Sequence, residues 1–148
     1  NSITQIVIYG ASGHAGAFAH TLEQAFLPNG LCETVAFIDD HIGGTGQMLF
    51  GKPVISFEQW REDYRHVLAM VAVGSPPAKR HLVEKMLNAG GIFRNIYEQP
   101  GFHQAGIEVG AGAAIASQVY IGPKTSIGNH VHIMPMCSIG HDVEIRDY

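Results

Sequence analysis

The last third of the chain keeps a six-residue beat. Val109, Ile115, Ile121, Ile127, Ile133, Ile139 and Ile145 follow one another at intervals of six without a slip, and four of them are followed at once by glycine, at Gly110, Gly122, Gly128 and Gly140. A hexapeptide period is the signature of a β-helix: each six residues form one face of a three-sided coil, and the aliphatic side chain points into its core. About 18 residues complete one coil, so this tract supplies a little over two. A solenoid that stops there leaves its last coil uncapped, and the expectation is a chain truncated from a longer protein.

Residues 4–99 follow a different grammar, strands alternating with helices. "TQIVIYG" is a short β run, and residues 13–26 read as a helix with Ala17, Phe18, Leu22, Ala25 and Phe26 at helical spacing, stopped by Pro28 and Gly30. "ETVAFIDD" is a second strand ending in two carboxylates. After a Gly-rich loop and "GKPVI", the segment "SFEQW" opens a short helix with Ser56 as N-cap and Gln59 at the capping-box position. "HVLAMVAVG" is a buried strand. In "SPPAKRHLVEKMLNAGG" Ser75 is the N-cap, Pro76 the first helical residue and Gly90 the stop. "IFRNIYE" reads as a last strand. Such alternation implies parallel strands joined by right-handed crossovers, a small Rossmann-like α/β sheet. Two domains are expected, residues 1–101 and residues 102–148.

Nearly half of the 148 residues are apolar, enough for a real core, and the net charge of −4 leaves no basic footprint for nucleic acid. No apolar run approaches the roughly 20 residues of a membrane span, and no leader pattern is present. The cytoplasm is therefore the expected location. Cys32 and Cys137 are far apart and read as two buried thiols; nine histidines are scattered singly, which argues against a metal site.

Ligands of doubly wound sheets bind at the carboxyl ends of the strands. Three loops lie there: the one holding Gly10, Ser12, Gly13 and His14, the pair Asp39 and Asp40, and the one at Gly74. Glycines permit close backbone approach, N–H groups at a helix start point at a pyrophosphate, and an acid after the next strand reaches ribose hydroxyls. The spacing of Gly10, Gly13 and Gly16 also suits a nicotinamide-dependent reductase, although the α/β region is short for a second mononucleotide half. A non-catalytic sugar-nucleotide-binding or trimerising scaffold is a third reading.

With "IYGASGHAG", "FIDD" and "SIGHDVEIRDY" in one chain, the sequence resembles the family of sialic acid O-acetyltransferases and bacillosamine N-acetyltransferases, left-handed β-helix sugar acyltransferases. The resemblance covers essentially the whole chain. It implies an acetyl-CoA-dependent transferase acting on an amino or hydroxyl group of a nucleotide-activated sugar or sialic acid in a surface-glycan pathway. It also implies a homotrimer with acetyl-CoA lying along the β-helix between subunits, and no metal. In that family a His-carboxylate pair follows the aliphatic position of a coil, here His141 and Asp142 after Ile139, with His141 as base and Asp142 as its orienting partner. The nucleotide-sugar then falls to Gly10, Ser12, Gly13, His14, Asp39, Asp40 and Gly74. His130 and His132 read as structural and Glu144 as exposed. "MPMC", Met134 to Cys137, departs from the Asn and small residues that many members carry before the His.

Overall fold

The computed structural model describes residues 3–26, 31–97 and 102–148. They fall into two compact units: Asn1–Glu23 with Gly30–Phe93, and Gln24–Asn29 with Arg94–Tyr148.

The first unit is a mixed α/β fold on a parallel sheet. In chain order it holds β1 (Thr4–Tyr9), α1 (Gly13–Ala25, whose last residues belong to the second unit), β2 (Cys32–Ile38), β3 (Met48–Leu49), β4 (Lys52–Ile55), α2 (Phe57–Gln59), β5 (Leu68–Val71) and α3 (Pro76–Asn88). The sheet order is β3-β4-β2-β1-β5, with β1, β2, β4 and β5 parallel. β3 differs from the all-parallel expectation: it folds back antiparallel on β4, because only Phe50 and Gly51, both at positive φ, separate the two strands. The β1–β2 and β4–β5 connections cross the sheet in opposite directions, so right-handed crossovers put α1 and α2 on opposite faces.

The C-terminal halves of β1 and β2, and β5 beside them, are buried and read as apolar runs. Ile6, Val7, Ile8, Ala36, Phe37, Ile38, Ala69, Met70 and Val71 are all but inaccessible. α1 contributes Ala15, Gly16, Phe18, Ala19 and Leu22, whereas Ala17, expected on this face, is exposed. Pro28 and Gly30, expected to stop the helix, lie outside the described residues. The capping box at α2 forms as anticipated: the Gln59 N–H donates to the Ser56 hydroxyl at 3.1 Å, and the Ser56 N–H donates to Gln59 Oε1 at 2.9 Å. The chain then widens into a π-helical turn over Trp60–Tyr64 that buries the Trp60 ring. α3 starts at Pro76 behind the Ser75 cap and ends before Gly90, which takes φ of +84°.

Of the expected strand "IFRNIYE", Glu98 lies outside the described residues, and no continuous strand forms over residues 92–97. Two isolated bridges replace it, Ile92 with Leu68 and Ile96 with Ala114, and the division between the units passes between Phe93 and Arg94. Cys32 is buried and Cys137 is exposed; both are free thiols, so the second departs from the buried pair expected. Burial, then the nearby Glu23 carboxylate, pushes the Cys32 thiol up to about 12.

The second unit is built of two-residue strands: β6 (Glu108–Val109), β7 (Ala114–Ile115), β8 (Tyr120–Ile121), β9 (Ser126–Ile127), β10 (His132–Ile133), β11 (Ser138–Ile139) and β12 (Glu144–Ile145). Each pairs in parallel with the strand 18 residues away, giving three ladders, β6-β9-β12, β7-β10 and β8-β11. Every aliphatic of the six-residue beat is the second residue of a strand, and Ile115, Ile121, Ile127 and Ile133 are buried. After most strands the chain turns through a left-handed residue. Gly112, Lys124, His130, Met136, Asp142 and Tyr148 all have positive φ and fall three residues beyond an aliphatic of the series, whereas Gln118, three beyond Ile115, does not; Gly106 takes positive φ three residues before Val109.

Glycine follows the aliphatic residue because the next coil passes close by. A Cβ on Gly110 would lie 2.6 Å from the Gly128 carbonyl carbon, and one on Gly122 2.5 Å from the His141 nitrogen. Among the described residues no helix is long and apolar enough to cross a membrane.

Candidate active site

In the first unit β1, β2 and β5 end side by side. The Gly10 N–H donates to the Ile38 carbonyl at 2.8 Å and the Ala72 N–H to the Tyr9 carbonyl at 2.9 Å, so the turns after the three strands leave from neighbouring points. Gly10 is fixed by this crowding: its φ is +124°, and a Cβ there would stand 2.7 Å from the Ala72 carbonyl oxygen. Gly13 and Gly74 have the opposite surroundings, with nothing within 4 Å of an added Cβ. Packing of the chain therefore demands glycine at position 10 but not at 13 or 74. Ser12, Gly13 and His14 are exposed at the start of α1, where the Ser12 carbonyl accepts the Gly16 N–H at 3.1 Å.

The two adjacent carboxylates do different jobs. Asp39 Oδ1 accepts the backbone N–H groups of His41 at 2.8 Å and Ile42 at 2.9 Å, so it shapes its own turn. Asp40 instead joins a long-range cluster. The Tyr9 hydroxyl donates to Asp40 Oδ1 at 2.6 Å, and Lys85 Nζ donates to the Tyr9 oxygen at 2.8 Å and to the two Asp40 oxygens at 3.2 and 3.3 Å. The ammonium also sits 4.2 Å above the centre of the Phe57 ring, which packs 6.0 Å from the Tyr9 ring. Burial, then the hydrogen bond to Asp40 and the charges of Asp40 and Asp39, hold the Tyr9 hydroxyl protonated well above its ordinary range. Lys85 also borders a pocket of about 410 Å³ that Phe57, Arg61, Arg65 and Asn88 help to line.

In the second unit, His141 and Asp142 occupy the corner after Ile139. Asp142 has φ of +56°, a conformation that Asp tolerates better than most residues. That corner brings the two neighbouring side chains together, His141 Nδ1 to Asp142 Oδ2 at 2.6 Å, while leaving them 80% and 61% exposed. With Nδ1–H donating to the carboxylate, Nε2 keeps its lone pair toward solvent.

The corner is fastened from beneath by buried Thr125, whose hydroxyl donates to the Gly140 carbonyl at 2.9 Å and accepts the Val143 N–H at 3.4 Å. His130 is buried, with its ring stacked on Tyr148 at 5.7 Å, and Glu144 is exposed.

Sequence reasoning missed Tyr9, Lys85, Phe57 and Thr125. Tyr9 carried a faint signal, a phenol as the last strand residue before the glycine turn. Lys85 carried none, since it lies 45 residues from Asp40 on a helix face where lysine is ordinary.

Known proteins give this geometry a family. No curated protein matches the chain in sequence. Its fold matches a mutant of perosamine N-acetyltransferase from Caulobacter crescentus solved with CoA and GDP-perosamine, at a TM-score of 0.72 and 20% identity, over 98% of this chain and 67% of that one. It also matches the acetyltransferase domain of PglB from Neisseria gonorrhoeae in complex with acetyl coenzyme A, at a TM-score of 0.71 and 18% identity, over 99% and 69%. A third match is WeeI from Acinetobacter baumannii, at 0.52 and 23%, over 93% and 67%. The chain thus spans about two thirds of the length of these proteins. The model of the PglD N-terminal domain matches residues 5–86, more than half of the sequence and all of the strand ends described above, and the chain belongs to that family.

Proposed function

We propose that this chain is an acetyl-CoA-dependent acetyltransferase acting on an amino or hydroxyl group of a nucleotide-activated sugar in surface-glycan biosynthesis. The observation that carries this reading is the His141–Asp142 pair, set 2.6 Å apart on an exposed corner of a parallel-ladder coil. Family membership and a fold shared with proteins solved with CoA, acetyl coenzyme A and GDP-perosamine support it.

In this reading residues 1–101 hold the acceptor and residues 102–148 serve the acyl donor. Gly10, Ser12, Gly13, His14 and Gly74 surround the diphosphate, and the space left at Gly13 and Gly74 is room for it. Asp39 and Asp40 lie toward ribose or sugar. The three ladders are faces of a left-handed β-helix, and subunits associate as a homotrimer with acetyl-CoA along the groove between them. The exposed apolar side chains of Tyr120 and Met136 on the ladder surface suit such contacts. Both co-substrates point to the cytoplasm.

His141 acts through Nε2. Asp142 fixes the tautomer in which Nδ1 carries the proton, so Nε2 accepts a proton from the acceptor's amine or hydroxyl as it attacks the thioester carbonyl. Asp142 then faces an imidazolium, which its charge supports. The tetrahedral adduct collapses, the C–S bond breaks, and the imidazolium returns the proton to the departing CoA thiolate. General-base help of this kind contributes about 10²–10⁴-fold in rate.

Thermal-shift titration with UDP, GDP, CMP, their sugars, acetyl-CoA and NAD tests the reading, because stabilisation by mass action needs no turnover. A nucleotide-sugar and acetyl-CoA are expected to raise Tm. Stabilisation by NAD with no response to any sugar nucleotide would reverse the assignment.

A further inference from the structure

A turn offered to a diphosphate begins with two adjacent carboxylates, Asp39 and Asp40, which should repel it. The structure answers each of them differently. Asp39 spends one oxygen on two backbone N–H groups of its own turn. Asp40 is met by a cation from a distant helix: Lys85 reaches both of its oxygens, Tyr9 holds Oδ1 at 2.6 Å, and Phe57 backs the ammonium at 4.2 Å.

This is a constructed arrangement rather than a loose surface pair. Its members come from β1, the turn after β2, α2 and α3, and the lysine and carboxylate side chains are only 32% and 42% exposed. The phenol is protonated throughout the useful pH range, so it remains a donor to Asp40.

Resting on the acceptor-binding reading above, we propose that Lys85 and Tyr9 are positioning residues which neutralise and orient Asp40, so that the acidic turn admits a nucleoside diphosphate while the carboxylate stays available as a hydrogen-bond acceptor. Lys85 offsets the charge that would push the phosphates away, and Tyr9 fixes the rotamer. The free lone pairs of Asp40 then face the ligand's hydroxyl or ring N–H groups. Charge balance, not direct phosphate contact, is the role of the lysine, and that gives it a distinct signature. Its loss should penalise a diphosphate far more than the uncharged nucleoside.

The test measures dissociation constants of UDP, GDP, uridine and guanosine for the wild type, Lys85→Met, Lys85→Arg, Tyr9→Phe and the double variant Lys85→Met/Asp40→Asn, at low ionic strength. Lys85→Met is expected to weaken the diphosphate about tenfold and the nucleoside less than about twofold. Lys85→Arg should restore binding, and removing both charges together should recover most of the diphosphate affinity. Tyr9→Phe should weaken both ligands by a similar factor of a few, because it frees the carboxylate without changing its charge. Equal losses for diphosphate and nucleoside in Lys85→Met, or no recovery in the double variant, would overturn the charge-balancing role and leave a merely structural lysine. A Lys85→Met protein that binds UDP and GDP like the wild type would overturn it as well. A wild type that binds neither diphosphate would overturn the acceptor reading itself, and this inference with it.

Discussion

In the α/β unit, Asp40 depends on Tyr9 and Lys85, which lie 31 and 45 residues away in sequence; in the ladder unit, His141 and Asp142 are neighbours held by one turn of the backbone. The first arrangement is assembled by tertiary packing, and any of several elements can disturb it. The second is a local consequence of a repeat: at six of the seven positions three places after an aliphatic the chain turns through a left-handed residue, and at Asp142 that turn brings its side chain to His141. A short repeat of paired strands thus sets a reactive pair by sequence adjacency alone. A doubly wound sheet supplies a pocket whose chemistry comes from the whole unit.

The sharpest way to separate the two is to crowd each backbone. Gly122→Ala places a Cβ 2.5 Å from the His141 nitrogen and 2.6 Å from the Gly140 carbonyl carbon, so coils must separate. A loss of about 3 kcal/mol or more is expected in urea unfolding. A cost in Gly122→Ala below about 1 kcal/mol would break the claim that close coil stacking selects the glycines.

The corresponding cost in the α/β unit is smaller. Gly10→Ala, strained at φ +124° and close to the Ala72 carbonyl, is expected to cost about 2 kcal/mol, while Gly13→Ala leaves stability within about 0.5 kcal/mol and weakens nucleotide-sugar binding. Thr125→Val comes next. It removes the Gly140 and Val143 hydrogen bonds and should cost about 1–2 kcal/mol, with a fall in transfer rate because the His141 corner loosens.

The smallest effect is a pH dependence seated in α3. Burial lowers the Lys79 ammonium from 10.5 to about 8. Below pH 8 the lysine is charged in both states and the burial cost is fully present. Above it the folded state sheds the proton first, the unfolded state binds more protons, and stability rises with pH. A gain of about 1 kcal/mol between pH 8 and 9 is expected. Above pH 9 the raised Cys32 thiol acts in the opposite sense. Chemical denaturation of Lys79→Met should lack the rise; an unaltered rise would detach it from this residue.

What could be read from the sequence follows the same division. The six-residue beat located every ladder strand, because period and register are local properties, while His141 and Asp142 were singled out by the family resemblance. The caps at Ser56, Gln59, Ser75 and Gly90 were likewise legible from side chains acting on their own backbone. The antiparallel β3 was not, since a two-residue strand has no pattern of its own. The run 92–97 reads as one strand in the sequence because nothing local announces that Ile92 and Ile96 bridge in different units. Lys85 stayed hidden for a related reason: nothing local tells a lysine that neutralises a distant carboxylate from one that faces water. The six-residue beat itself did not expose Thr125, since it marks inward aliphatics and is silent about the hydroxyl that pins a corner.

The central claim is that His141, oriented by Asp142, is the base of an acetyl transfer. Its most direct test is the rate of CoA thiol release from acetyl-CoA with a nucleotide-linked amino sugar, comparing protein carrying the wild-type chain with its His141→Asn variant, alongside the acceptor's dissociation constant. The account predicts a fall in kcat of about 10²–10⁴-fold with acceptor affinity unchanged. An unchanged kcat in His141→Asn would contradict it.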